Sequence, residues 1–212
     1  MSSRIPYDRG MPRWESGADT RLTRAAYELY LERGFEAVTV AEIAARAGLT
    51  KRTFFRYFDD KREVLFSGAP AFQASVVDAV VAAPEDVAPI DAVVTALAAG
   101  GTELTGIGEG ARARQHLIEQ STDLQEREMI KMVALKEAIA AALQERGVPA
   151  TTAGLTAQAG VTVFQTAFER WAHAEGPVDF PPLIHQALDE LRVAIQPVEA
   201  GPRRPARSSR RS

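Results

Sequence analysis

The stretch "GLTKRTFFRYF", residues 48–58, sets Lys51, Arg52 and Arg56 among Phe54, Phe55, Tyr57 and Phe58. Gly48 can take the positive φ that a sharp reversal needs. Leu49 can plug the angle between two helices, and Thr50 can cap the second of them. In that second helix Phe54, Tyr57 and Phe58 fall at i, i+3 and i+4 and are expected to anchor one face. Lys51, Arg52, Phe55 and Arg56 are left on the other. An ordinary amphipathic helix with a solvated basic side would carry the same charges. The capped helix before it, the glycine at the turn and the aromatic anchor together favour a helix-turn-helix, whose second helix suits a DNA major groove.

Upstream, Leu22, Ala25, Ala26, Leu29 and Tyr30 keep helical spacing, with Asp19 or Thr20 as N-cap and Gly34 as stop. Thr39-Val-Ala-Glu42 has the capping-box spacing for a second helix, with Val40, Ile43, Ala44 and Ala47 on its apolar side. Downstream, Asp60-x-x-Glu63 repeats the capping logic, and Pro70 after Gly68 predicts a break. Phe72, Val76, Val77, Val80 and Val81 resume the stripe as far as Pro84. Pro89 and then Gly100, Gly101, Gly106, Gly108 and Gly110 predict a short helix followed by a loop. Two helices are expected within 111–121 and 123–147, another from Thr151 or Thr152 to about Glu175, and a last one over 180–195 that opens on proline. Nothing alternates as a strand does. The class is all-α: an N-terminal three-helix helix-turn-helix domain plus a larger C-terminal helical bundle. The expected division is a flexible arm at 1–18, a DNA-binding domain at 19–66, a ligand-binding and dimerisation domain at 67–196, and a disordered basic tail at 197–212.

The formal charge of −3 over 212 residues hides an asymmetry. Residues 1–66 hold 12 Lys/Arg against 10 Asp/Glu (net +2), residues 67–196 hold 8 against 17 (net −9), and residues 197–212 hold 5 against 1 (net +4). A polyanion is therefore repelled by the middle of the chain and can approach only its ends. There is no cysteine, which removes disulfides, thiolate metal sites and cysteine nucleophiles and fits a reducing compartment. The polar N-terminus lacks the apolar core of a secretory signal. No stretch reads as long enough to cross a bilayer, so a cytoplasmic protein without membrane partners is expected.

Residues 20–66, "TRLTRAAYELYLERGFEAVTVAEIAARAGLTKRTFFRYFDDKREVLF", resemble the DNA-binding domain of the TetR (tetracycline-repressor-like) family. The Gly-Phe after helix 1, "TVAEIAARAG", "LTKRTFFRYF" and an acidic-Lys opening to helix 4 carry the likeness. It implies a double-stranded DNA operator read by Thr50, Lys51, Arg52, Thr53, Phe55, Arg56 and Tyr57, with Lys51 and Arg52 on base edges. It implies phosphate contacts from Thr39 and Lys61. Arg4, Arg9 and Arg13 are candidates for a minor groove, against a merely solvated arm. Phe55 stands where the family often has tyrosine, and Asp59-Asp60 where it often has Pro-Ser.

The resemblance further implies a regulator, more commonly a repressor, that a small-molecule effector releases. Candidate lining residues are Phe72, Gln115, His116, Gln120, Met129, Met132, Val133, Phe164 and Phe168. A homodimer is expected through the last two helices, with Phe164, Phe168 and Trp171 on one and Ile184, Leu188 and Leu191 on the other; the alternative is that all six are intramolecular core. No metal, cofactor or catalytic residue is assigned. The three histidines are scattered, and neither a nucleophile elbow nor a phosphate loop is present. An enzyme is the rival from another class. A helical ligand-binding or scaffolding protein without operator binding is the second, left open by Phe55 and Asp59-Asp60.

Overall fold

A computed structural model describes residues 17–106 and 108–196, so the arginines of the arm and the basic tail lie outside the described residues. The described residues form α1 (Ala18–Arg33), α2 (Val40–Arg46), α3 (Lys51–Tyr57), a 3-10 turn (Glu63–Phe66), α4 (Ala69–Ala82), α5 (Pro89–Thr105), α6 (Glu109–Glu119), α7 (Thr122–Glu145), α8 (Ala150–His173) and α9 (Phe180–Ala194). No strand occurs among them.

The N-terminal caps follow the local chemistry. Gly34 closes α1 at φ 79°. Thr39 and Glu42 exchange both bonds of the capping box that starts α2, and Gly48 turns the chain at φ 67°. Leu22, Leu29, Tyr30, Phe35, Ile43, Phe54 and Phe58 build one core, which the 3-10 turn completes with Val64, Leu65 and Phe66. Leu117, Ile118 and Leu124, from α6 and α7, pack into the same core. The N-terminal domain is therefore joined to the larger bundle by apolar burial as well as by the chain.

A polar seam runs along this joint. Arg127 on α7 pairs with Asp60 at 3.1 Å and Glu63 at 2.9 Å, and Lys131 pairs with Glu63 at 3.0 Å. Arg114 donates to the Leu65 carbonyl at 2.8 Å and lies over the Phe66 ring. Ser121 donates to Glu36 at 2.7 Å.

In the larger domain α8 packs against α5, α7 and α9, and α4 against α5 and α7. Two expectations change here. The glycines at 100 and 101 lie inside α5, which runs unbroken to Thr105. A Cβ on Gly100 would stand 2.6 Å from the Phe72 ring, and one on Gly101 2.1 Å from the buried Phe180 ring. These glycines make room for aromatic side chains, so tertiary packing retains them in a helix despite their propensity cost. The run Glu63–Ala82 also has the length and mean hydropathy to span a bilayer, which the sequence reading did not expect. Its larger apolar side chains go elsewhere: Val64, Leu65 and Phe66 enter the N-terminal core, and Val76 and Val80 the C-terminal one.

Candidate nucleic-acid interface

Thr50 caps α3 by accepting from the Thr53 N–H at 3.1 Å, and its hydroxyl lies 3.0 Å from that of Thr53. Phe54 is fully buried and Phe58 nearly so, which fixes the rotation of the helix. Lys51, Arg52, Phe55 and Arg56 are exposed. Arg52 and Arg56, one turn apart, occupy the centre of the outward face. Tyr57 departs from the inward position expected of it and is 43% exposed. At about 100° per residue it lies about 60° round the helix from Phe54. Instead Arg56 donates to the Tyr57 hydroxyl at 3.0 Å and its guanidinium lies 4.8 Å from the ring centroid. The pair forms a pre-set cationic and hydroxylic edge suited to phosphate.

Most other cations of this domain are occupied. Arg24 pairs with Glu28, Arg46 with Glu28 and Glu32, Arg33 with Glu42, and Arg62 with Asp60, whereas Arg21 at the start of α1 is exposed without a carboxylate partner among the described residues. Among the described residues, no carboxylate pairs with Lys51, Arg52 or Arg56. Positive charge is thus left unneutralised on α3, where a polyanion can meet it.

Lys61, expected at a phosphate, is engaged within the fold. Its ammonium donates to the carbonyls of Phe35, Glu36 and Val38 at 2.9, 3.3 and 3.1 Å, and stands 4.2 Å from the Phe35 ring centroid. All three N–H groups are consumed in closing the α1–α2 loop. Thr39 is exposed, but its hydroxyl is committed to Glu42 at 2.7 Å. Hydrogen bonds from the Thr39 side chain and backbone, then Arg33, hold the Glu42 carboxyl at about 2. Asp60 is likewise spent on the N–H groups of Arg62 and Glu63 and on two arginine side chains, leaving Asp59 as the exposed acid beside α3.

The nine residues expected to line a ligand site are not brought together. Phe72, Phe164 and Phe168 do meet, their rings 5.4 and 5.8 Å apart in sequence, and Met132 packs against the same core. Met129 and Val133 point outward from α7, at 62% and 43% exposure. His116 and Gln120 are exposed and bonded to each other, and Gln115 bonds Glu119.

The residues expected at the dimer surface lie mostly inward in the single chain. Phe164, Trp171, Ile184 and Leu188 are buried within one chain, and Phe168 and Leu191 pack against the same core. Within one chain four of the six are buried and Phe168 and Leu191 half-buried, because α9 folds back on α8 and each covers the other's apolar stripe.

A capped, core-anchored helix following a glycine turn, with free cations outward, defines a helix-turn-helix DNA-binding regulator. Comparison with known proteins narrows the class. Residues 22–67 match the family of bacterial regulatory proteins called tetR, and residues 87–196 match the MftR C-terminal domain. YdeS of Bacillus subtilis, an uncharacterised HTH-type transcriptional regulator, is 44% identical over 57 residues, covering 27% of this chain and 28% of its own length. MftR of Mycobacterium tuberculosis, whose name places it provisionally as a regulator of mycofactocin biosynthesis, is 26% identical over 174 residues, 81% of this chain and 88% of its own. SmeT of Stenotrophomonas maltophilia, solved with triclosan, shares the fold with a TM-score of 0.62 at 17% identity, covering 84% of this chain and 91% of its own. The chain belongs to the TetR family of transcriptional regulators.

Proposed function

We propose that this chain is a homodimeric repressor that binds a two-fold DNA operator through α3 and leaves it when a small molecule occupies the C-terminal domain. The observation that supports the operator reading is the trio Lys51, Arg52 and Arg56, exposed and without carboxylate partners. Lys51 and Arg52 reach base edges, where either can bond guanine O6 and N7. The Arg56–Tyr57 pair takes phosphate, while Thr50 and Thr53 line the N-terminal turn of α3. A two-fold dimer would place successive heads about 34–36 Å apart, one turn of the duplex.

The dimer surface in this reading is the outward face of α8 and α9. On α8 the exposed residues Thr151, Leu155, Gln158, Thr162 and Gln165 form a stripe without a charged side chain, and Leu155 is 69% exposed. Charge-free helix surface of that length suits burial against a second copy. The effector reading narrows to the aromatic cluster of Phe72, Phe164, Phe168 and Phe180, where a ligand enters by displacing the Phe72 and Phe180 rings seated on Gly100 and Gly101. Such a ligand releases DNA only by favouring the displaced conformer over the DNA-bound one.

Selection of duplexes from a random pool tests the operator reading. Wild type should enrich a palindrome, and Arg52→Ala should lose preference at one position per half-site by about tenfold. Full retention of base preference by Lys51→Ala, Arg52→Ala and Arg56→Ala alike would show that α3 is not the reader.

A further inference from the structure

Phe55 is 56% exposed, whereas each of the other eight phenylalanines is buried or half-buried. It is not loose. Its ring meets the fully buried Phe54 edge-on, with centroids 5.5 Å apart and planes at 83°. The buried ring props Phe55 outward, so one apolar face is held toward solvent on the side of α3 that carries the free cations. A phenyl ring has no donor or acceptor for phosphate oxygens or for the polar edges of bases. The apolar group that a major groove offers is the thymine C5 methyl.

Phe55 follows Lys51 by four residues and Arg52 by three, so all three share one side of the helix. The rise between them is about 4.5–6 Å, or one to two steps of roughly 3.4 Å along a strand. We infer that Phe55 is a specificity residue that reads the methyl of a thymine one or two base pairs from a guanine held by Lys51 or Arg52. This rests on the operator reading above and adds to it a base preference that no hydrogen bond supplies.

The test uses the operator selected by the full-length wild type, with each thymine in turn replaced by deoxyuridine, which removes the methyl and keeps the pairing. One thymine per half-site, within two base pairs of a G·C pair, should weaken wild-type binding about fourfold on replacement, the value of one buried methyl. Phe55→Ala should bind the thymine and deoxyuridine operators equally, and Phe55→Tyr should keep the methyl preference. Both substitutions are on the surface, and unchanged helicity by circular dichroism confirms folding. Equal responses of wild type and Phe55→Ala at every thymine overturn the inference. So does a Phe55→Tyr variant that tightens on all sequences without methyl preference, since that places the ring at phosphate. Failure of wild type to enrich any operator would instead remove the DNA-reading role, and this inference with it.

Discussion

Lys61 shows how one side chain can carry a family's signature and a different duty. From sequence it stands at a helix start near the expected DNA backbone, and nothing local reveals that its ammonium turns back over 23 to 26 residues to the carbonyls of Phe35, Glu36 and Val38. The Tyr30 hydroxyl donates to the Lys61 carbonyl at 2.7 Å, so the residue ties α1 and the loop after it to the segment that follows α3. Lys61→Ala is expected to cost about 1–3 kcal/mol of stability, because three carbonyls lose a charged donor. Operator affinity measured well below the melting point should change less than twofold. A variant with wild-type urea midpoint and uniformly weaker DNA binding would return Lys61 to phosphate.

At the scale of elements, the caps and turns were legible and the packing was not. Thr39, Thr50, Gly34 and Gly48 act within a few residues of themselves, and their spacing carries the information. Gly100 and Gly101 read as breakers because their partners, Phe72 and Phe180, lie far along the chain. The joint between head and bundle is of the second kind: Asp60 was legible as a cap, but its pairing with Arg127 was not. Burial alone would raise the Asp60 carboxyl; bonds from the Arg62 side chain and from the N–H groups of Glu63 and Arg62 outweigh it and hold it at about 2. The folded value lies below the ordinary 3.8, so the ionised form favours the fold. That contribution is complete above about pH 4 and disappears as pH falls through about 2. Asp60→Asn should therefore lower the urea midpoint at pH 7 and flatten its decline between pH 4 and 2. Parallel acid curves for variant and wild type would mean that this carboxylate does not couple to folding.

At the scale of the whole molecule, the electrostatics favour the two-headed dimer proposed above. The free cations of α3 work against a region from 67 to 196 with 17 acidic and 8 basic residues, and a single short helix contacts few base pairs. Joining two heads converts the second contact into an intramolecular one, which can raise affinity by about 10²–10⁴. A two-fold interface presents each residue twice, so charges placed on the uncharged stripe of α8 meet their like or lose their burial. Leu155→Glu with Thr162→Glu should leave helicity intact, since both positions are exposed. The double variant should sediment as a monomer at micromolar concentration and lose about 100-fold in operator affinity. The stripe was invisible to a search for apolar residues because its mark is missing charge, from Gly147 to Phe168, and the large side chains of the same helices were needed inside. A double variant that stays dimeric would move the interface elsewhere, and a monomeric wild type that still holds a palindrome would require the two heads to find each other on DNA alone.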